Sequence, residues 1–413
     1  MHVMVCYSIY PPIQAGGAEL IVSYLAEGLV QRGHRVTVVS TCGPQMEPYP
    51  TENRNGVEVI RFFPKNRYWL FEREGRGGLD KLRWQLRDAW NRASGRRLRE
   101  IMREARPDIV HSHGVEGFSP ALWRSAKSLR IPVVHTAHDY YMICPRAMLL
   151  TRRLAICTAP SLACRSRSSW YLRCASDIDL FCSPSQFLLD KHRAAGLPSK
   201  HSAVVPNGIP IQARDPKAIN RDAGRTLRLL FAGRLTAEKG VRVIIEAMRR
   251  VPRDVPVALT IAGKGTLEDE VRAAAAADSR ITFAGYISGD GKVNAFTDAD
   301  VLLLPSLWYE NAPVVVLEAA AYGLPVIGSN LGAIPEFVRD GVNGLLFEPG
   351  NPESLAGAIM SLASNRTLLE SLAGGGAPLI AKHSVGGMLD HYLAHYSGLA
   401  TAACQARLPT MAR

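Results

Sequence analysis

Val301-Leu302-Leu303-Leu304, then Pro305-Ser306-Leu307-Trp308-Tyr309, then Glu310-Asn311-Ala312-Pro313-Val314-Val315-Val316-Leu317-Glu318: an apolar run, a loop and a second apolar run, with two carboxylates eight positions apart. Four consecutive aliphatic residues that stop at loop residues read as a buried strand. Proline is tolerated at a first helical position, because its missing N–H would have no partner there, so a helix is expected to open near Pro313. Strand, loop and helix start form the repeating unit of an open parallel sheet. Ligands of such sheets sit at the carboxyl ends of the strands, and a helix start favours anions. Glu310 is then placed to meet a ligand from the loop, and Glu318, about one and a half turns into the helix, to reach another part of it. The spacing alone equally fits a solvated loop acid and an acid on a core helix.

The same alternation extends in both directions. Leu227 to Ala232, Val257 to Ile261, Ile281 to Gly285, Pro325 to Gly328 and Leu345 to Phe347 read as strands of the same domain. Upstream, Val3 to Tyr7, Val36 to Val39, Val57 to Phe62, Pro107 to Gly114, Pro132 to Asp139 and Leu180 to Cys182 form a second series. Leu20, Ile21, Tyr24, Leu25 and Leu29 recur at helical spacing between the first two of these, and Gly33 ends that helix. Residues 210–226 are polar and charged, as a linker would be. The expected organisation is a parallel α/β domain over 1–205, another over 206–383, a helix over 384–400 that crosses back to the first, and a loose tail over 401–413.

The 413 residues carry 49 Lys or Arg against 37 Asp or Glu, a formal net charge of +12. Such a balance favours acidic partners such as phosphorylated ligands, anionic lipid or nucleic acid. Met1-His2-Val3-Met4-Val5-Cys6 reads directly as a strand, no secretory signal is apparent, and no apolar run approaches the roughly 18 residues that span a bilayer. With eight cysteines and no signal, a reducing cytoplasm with free thiols is expected. Residues 61–106 concentrate 14 Lys or Arg against 6 Asp or Glu. In that segment Leu79, Leu82, Leu86, Trp90, Leu98 and Ile101 suggest one amphipathic helix, with Trp69 and Trp84 adding aromatic bulk. Such a helix suits an anionic membrane surface or a solvated arginine-rich face packed on the sheet; no nucleic-acid-binding module is visible.

Three further places carry chemistry. Gly16-Gly17, at the first strand-to-helix turn, lets backbone N–H groups approach an anion, though it lacks the dinucleotide spacing. In Gly233-Arg234-Leu235-Thr236-Ala237-Glu238-Lys239-Gly240, a guanidinium and an ammonium sit between a strand end and a helix start, a combination suited to a diphosphate and unlike a Walker loop. In His111-Ser112-His113, strand alternation sends both histidines to one face, and His138-Asp139 ends the next strand. Cys144, Cys157, Cys164 and Cys174, in an insertion over 140–175, are separated by twelve, six and nine residues, without the close pair of a zinc knot.

Taken in order, Gly16-Gly17-Ala18-Glu19, His111-Ser112-His113, His138-Asp139, Asn207-Gly208, Gly233-Arg234-Leu235 with Lys239-Gly240, the stretch Ala299 to Ser306, and Glu310 with Glu318 resemble the retaining glycosyltransferases of family 4, over nearly the whole chain. The resemblance implies the GT-B fold: two Rossmann-like parallel-sheet domains facing a central cleft. It implies that Arg234 and Lys239 hold the donor diphosphate and that Glu318 accepts the ribose hydroxyls. Glu310 would contact the donor sugar, the amides of Asn311 and Ala312 would meet sugar hydroxyls, and Gly17 would offer its amide to the distal phosphate. His138 would lie near the anomeric carbon, with His113 and Asp139 on the acceptor side. Many family members have glycine where this chain has Asn311 and Pro313, and proline removes one amide. The run from His138 to Pro145 resembles a branch linked to cell-surface polysaccharide assembly.

The activity implied is transfer of a hexose-type sugar from a nucleotide-diphosphate sugar to a glycan or lipid-linked hydroxyl, with retention of configuration. The setting would be the cytoplasm or the inner membrane face. No cofactor, metal or nucleic acid is expected, because no metal-binding Asp pair is evident. Two other readings stay open: a sugar-nucleotide epimerase on the same fold, and a non-catalytic membrane- or polymer-binding relative.

Overall fold

The structure, a computed structural model, describes residues 1–13, 17–46, 51–198, 201–210 and 226–407. The chain divides into two compact units, Met1–Met148 with Thr158–Pro210 and Ser384–Arg413, and Leu149–Cys157 with Ile211–His383. The first unit thus runs on past 205, to Pro210. The anticipated linker over 210–226 and the first glycine of Gly16-Gly17 lie almost wholly outside the described residues.

Among the described residues the first unit holds eight strands: β1 His2–Cys6, β2 Arg35–Thr41, β3 Glu52–Arg54, β4 Val57–Phe62, β5 Ile109–Ser112, β6 Val133–Thr136, β7 Leu180–Ser183 and β8 Ser202–Val204. They lie in the order β3-β4-β2-β1-β5-β6-β7-β8, parallel except that β3 pairs antiparallel with β4. Their burial explains the apolar runs: β1, β5, β6 and β7 are buried along their whole length, as strands covered on both faces must be. The edge hairpin turns at Asn55-Gly56, both at positive φ (52° and 82°), the type I′ geometry that a two-residue loop between twisted strands requires.

The second unit holds β9 Leu227–Ala232, β10 Val257–Ala262, β11 Ile281–Gly285, β12 Val301–Leu304, β13 Val326–Ser329 and β14 Gly344–Phe347, all parallel, in the order β11-β10-β9-β12-β13-β14. Leu229, Phe231, Leu259, Ile261, Val301, Leu303 and Ile327 join Val241, Ile244, Met248, Leu355 and Ile359 of the covering helices in one core. The helix expected near Pro313 is Val314–Ala321, with Pro313 as its N-cap.

The C-terminal helix, Val385–Arg407, packs within the first unit on helix Ala18–Gln31. Arg32 pairs with Asp390 and donates to the Gly386 carbonyl at 3.2 Å, and a Cβ on Gly28 would sit 2.7 Å from Leu389. Here the expectation of a loose tail from 401 is corrected: the helix continues to Arg407. Thr401, Ala402 and Ala403 keep it helical, with no proline or glycine to stop it.

One more expectation changes. The single amphipathic helix over 79–101 is two, Gly78–Ala89 and Arg92–Ala105. They break at Asn91, whose side chain accepts from Ser94 N (3.1 Å) and donates to the Pro64 carbonyl (2.7 Å), so the cap outcompetes helix continuation. The cysteine-containing insertion carries helix Leu162–Cys174, capped by Ser161, whose Oγ accepts from Cys164 N at 3.3 Å.

Candidate functional site

In a parallel sheet every strand delivers its following loop to the same edge. In the second unit this gathers the loops after β9, β10, β12 and β13. Leu235 N donates to the Lys264 carbonyl (2.9 Å), Leu307 N to the Glu238 carbonyl (2.8 Å) and Ala333 N to the Glu310 carbonyl (3.0 Å). The approach is close enough to demand glycine: at Gly240, with φ at +75°, a Cβ would lie 1.8 Å from the Pro305 carbonyl oxygen. Arg234, Lys239 and Glu310 thereby share one set of cross-linked loops.

Within it, Lys239 Nζ meets Glu310 Oε1 at 2.7 Å. The same oxygen accepts from Ser306 Oγ (2.6 Å) and Trp308 Nε1 (2.9 Å). The Lys239 ammonium also lies 5.1 Å from the centre of the Trp308 ring, a cation–π contact. Glu310 is 5% exposed. Burial opposes its ionisation, but the Lys239 charge and the three hydrogen bonds outweigh it and hold the carboxyl below its ordinary range. Arg234 is held differently: its side chain is 58% exposed and its ion-pair partner, Glu238, is 3.8 Å away. Glu318, on helix Val314–Ala321, receives Lys292 Nζ at 2.7 Å. Ser306, Trp308 and Lys292 were not singled out by the sequence. The first two flank Glu310 in the loop and could have been, whereas Lys292, on helix Gly289–Asp298, reaches Glu318 only through the fold. Asn311 is buried and Ala312 half-buried.

In the first unit, alternation places His111 and His113 on one side of β5 and its continuation, as expected, with Ser112 opposite, where its Oγ lies 2.9 Å from His135 Nδ1. His113 Nδ1 is 2.9 Å from His138 Nε2 and His113 Nε2 is 3.2 Å from His111 Nδ1. His113 is wholly buried, so it reaches a ligand only through His138, which is half-buried. Asp139 Oδ1 accepts from Tyr141 N at 2.8 Å. Gly17 is the N-cap of helix Ala18–Gln31. The four cysteines of the insertion are free thiols, and among the described residues no three His, Cys, Asp or Glu side chains cluster as metal ligands would.

Below this histidine set, Asp88 is 0% exposed and accepts from Gly117 N (3.1 Å) and the hydroxyls of Tyr141 (2.8 Å) and Tyr171 (3.3 Å). Burial raises its carboxyl to about 7. Burial, reinforced by Asp139 and Asp88, raises Glu116 to about 8, and burial raises Asp139 to about 6. Burial pushes His111 and His113 well below 6.5, His135 to about 3, and His138 and His192 to about 4. The signs oppose. Below pH 6.5 the unfolded chain protonates histidines that the fold keeps neutral, so stability falls as pH drops. Above that pH the fold still holds carboxyl protons that the unfolded chain has lost, so stability falls as pH rises through about 8. Melting temperatures across a pH series at constant ionic strength should peak near neutrality; a plateau on the alkaline side would contradict the buried carboxyl protons.

Known proteins share both halves of this arrangement. Residues 15–213 match the family described as Glycosyltransferase Family 4, and residues 226–365 the one described as Glycosyl transferases group 1. Glycogen synthase of Mycobacterium tuberculosis is 33% identical over 88% of this chain and 86% of its own. An uncharacterized 42.6 kDa protein in the cps region of Klebsiella pneumoniae is 31% identical over 82% of this chain and 88% of its own. Among solved structures, Anabaena HepE in complex with UDP and glucose superposes with a TM-score of 0.69 at 18% identity, covering 96% of this chain and 100% of that one. Family matches in both units, together with a relative 33% identical over most of both chains, make the chain a glycosyltransferase of family 4, built on the GT-B fold.

Proposed function

We propose that this glycosyltransferase moves a hexose-type sugar from a nucleotide-diphosphate sugar to a hydroxyl of a glycan or lipid-linked acceptor, with retention of anomeric configuration. The observation that carries the reading is the strand-end loop set of the second unit, where Arg234 extends half-exposed cationic donors beside the buried Lys239–Glu310 pair. Breaking the sugar–phosphate bond builds negative charge on the diphosphate and positive charge on the sugar ring. In this reading Arg234, Lys239 and the start of helix Val241–Arg250 stabilise the leaving group with charge already in place. Glu310 meets the sugar and Glu318 the ribose. The acceptor oxygen attacks the face the diphosphate leaves, and its proton passes to the departing phosphate oxygen. With cations already supplied by side chains, the step calls for no divalent metal, and turnover is expected to persist in excess chelator. The cps-region relative favours a role in cell-surface polysaccharide, lipopolysaccharide or glycolipid synthesis, and the UDP and glucose held by HepE fit a nucleotide-sugar donor. A thermal-shift screen across UDP-, GDP- and ADP-sugars tests the donor class, because a bound donor raises the melting temperature by mass action. No shift with any of them, and no nucleotide release with any acceptor, would sink the reading.

A second partner follows from helix Gly78–Ala89. Its inward face is Trp84 and Asp88, at 3% and 0% exposure, while Leu79, Leu82 and Leu86 point outward at 60%, 52% and 67%. Arg83 and Arg87 are exposed beside them, and Phe71 lies exposed just upstream. Among the described residues no helix is long and apolar enough to cross a membrane. An outward leucine stripe set among arginines fits instead the headgroup boundary of an anionic bilayer. Leu82→Glu with Leu86→Glu should reduce co-sedimentation with phosphatidylglycerol vesicles about ten-fold or more, since each buried leucine contributes about 1.5–3 kcal/mol. Equal binding of the wild type to neutral vesicles would remove the electrostatic half of this argument.

A further inference from the structure

The Glu310 carboxylate is fixed at one oxygen and left open at the other. Its main chain is clamped first. The Glu310 carbonyl accepts from Ala333 N at 3.0 Å, and Gly332, with φ at +65°, passes so close that a Cβ there would lie 2.8 Å from Glu310 N. On the side chain, Lys239 Nζ, Ser306 Oγ and Trp308 Nε1 stand 2.7, 2.6 and 2.9 Å from a single oxygen, Oε1. An ionised carboxylate has two oxygens, with about two lone-pair sites on each. The Ser306 hydroxyl and the Trp308 indole N–H take up the directional capacity of Oε1, and the ammonium adds its charge there. Among the described residues, Oε2 receives no hydrogen bond.

This is an uneven division for a residue 5% exposed. Buried polar atoms are as a rule hydrogen-bonded, so a carboxylate oxygen short of donors in a nearly dry site is a place for a donor from outside the chain. The two neighbours that hold Oε1 are themselves held. Ser306 stands just past β12 and is 0% exposed. Trp308 lies in the same loop, whose Leu307 N is tied to the Glu238 carbonyl at 2.8 Å. The Trp308 ring also faces the Lys239 ammonium, 5.1 Å from the ring centre, so indole and ammonium are set against each other as well as against Oε1. With Oε1 anchored at three points, the carboxylate is kept from turning over to exchange its oxygens, and Oε2 stays the open one.

We propose that Ser306 and Trp308 are positioning residues that turn the Glu310 carboxylate so that Oε2 alone is left to accept a hydroxyl of the donor sugar. The binding part of the inference rests on the proposed meeting of Glu310 with that sugar; the orientation of the carboxylate does not. Ser306, wholly buried, acts only through Glu310. The chemistry of the acceptor sets what it selects. An ionised oxygen without a donor takes a group that brings a proton, so a free sugar hydroxyl is bound there and its deoxy or O-methyl counterpart is penalised.

Proton–nitrogen-15 spectra of the indole groups in tryptophan-labelled protein read the orientation without any donor, the Trp308 signal being assigned by its loss in Trp308→Phe. A downfield indole proton protected from exchange is expected at neutral pH. It should move upfield in Glu310→Gln and in Lys239→Met/Glu310→Gln, the second of which strands no charge; a Trp308 signal unmoved in both overturns the orientation. Calorimetric titrations then separate an aimed carboxylate from general packing. They use three pairs that differ by the sugar: UDP-glucose with UDP, GDP-mannose with GDP, and ADP-glucose with ADP. For a pair that binds, Ser306→Ala and Trp308→Phe should each weaken the sugar nucleotide about ten-fold, as for a lost hydrogen bond to a charged group, and leave the bare diphosphate within about two-fold. Phenylalanine keeps a ring against the Lys239 ammonium, and Ser306 has no exposed surface with which to touch the donor. Equal weakening of both members of the pair overturns the positioning role, as does an unchanged affinity for the sugar nucleotide. If none of the three pairs binds, the donor reading falls and takes the binding part with it, while the indole spectrum decides the orientation.

Discussion

Arg234→Ala is expected to lower kcat by about a hundred- to a thousand-fold, the loss that follows removal of one preorganised donor to a developing negative charge. Its folding stability should stay within about 0.5 kcal/mol of the parent, as for a surface substitution that breaks no buried contact. The structure gives the side chain almost nothing to do for the fold. It is 58% exposed, and its ion pair among the described residues, to Glu238, spans 3.8 Å, a surface contact worth about 0–1 kcal/mol. Yet it stands in a loop whose backbone is pinned from several sides, by the bonds of Gly233 to Ala262, Leu235 to Lys264 and Leu307 to Glu238. A half-exposed guanidinium on a rigid loop loses little entropy on binding a phosphate. Arg234→Lys should recover part of the rate, because it keeps the charge and loses the two-pronged geometry. Steady-state kinetics and thermal melts on the same preparations separate the cases. Near-normal turnover in Arg234→Ala would remove the diphosphate role, and a collapsed melt would show that its structural contribution was underrated.

How much of this was legible beforehand differs by residue, and for physical reasons. The strands β4, β9, β11 and β12 stand where the sequence placed them: β12 is continuously apolar because it is covered on both faces, whereas β4 and β11 show alternation, one face buried and the other partly exposed. His111 and His113 share a face because strand alternation is geometry and needs no partner to be known. The hairpin at Asn55-Gly56 carries an adequate turn signal, an Asn-Gly pair ahead of Val57, but its flanking strand β3, three residues long, is too short to show alternation. Asn91 is a comparable case: a capping side chain inside an amphipathic pattern splits one helix into two. Leu79, Leu82 and Leu86 show the limit of periodicity, which reveals that a helix has a stripe but not which side the protein takes. For the site, Glu310 and Lys239 were visible as separate candidates 71 positions apart, and only the fold makes them one pair. Lys292 beside Glu318, and Tyr396 behind His111, had no local signal, since each is a contact between distant elements.

The Lys239–Glu310 pair is where catalysis and stability meet, and its single substitutions should cost more than the double. Glu310 is 5% exposed and Lys239 19%, so removing one partner strands the other's charge with little solvent. Breaking a buried pair in this way typically destabilises by about 3–5 kcal/mol, whereas replacing both partners with apolar or neutral groups often costs little. Lys239→Met should therefore melt well below Lys239→Met/Glu310→Gln, while all variants, Glu310→Gln included, lose about a hundred-fold or more in kcat, because each removes a charge preorganised for the transition state. The pH dependence identifies the cause. In the parent, burial resists ionisation of Glu310, but Lys239, Ser306 and Trp308 prevail and the carboxyl ionises below its ordinary range. A carboxyl depressed in the fold adds stability above its unfolded pKa and surrenders it as pH falls through the folded value. With Lys239 replaced, burial remains the largest influence and the sign reverses: the fold prefers the protonated acid, and ionising it as pH rises costs stability. The gap in melting temperature between the parent and Lys239→Met should thus be wide at neutral pH, begin to narrow above about 4.5, the ordinary glutamate value, as the stranded acid takes up a proton, and narrow further below it as the parent loses its own Glu310 contribution. The double variant, with no carboxyl at position 310, should show only the second part of that narrowing. A gap independent of pH would mean that lost packing of the Lys239 stem against Trp308, rather than a stranded charge, accounts for the damage.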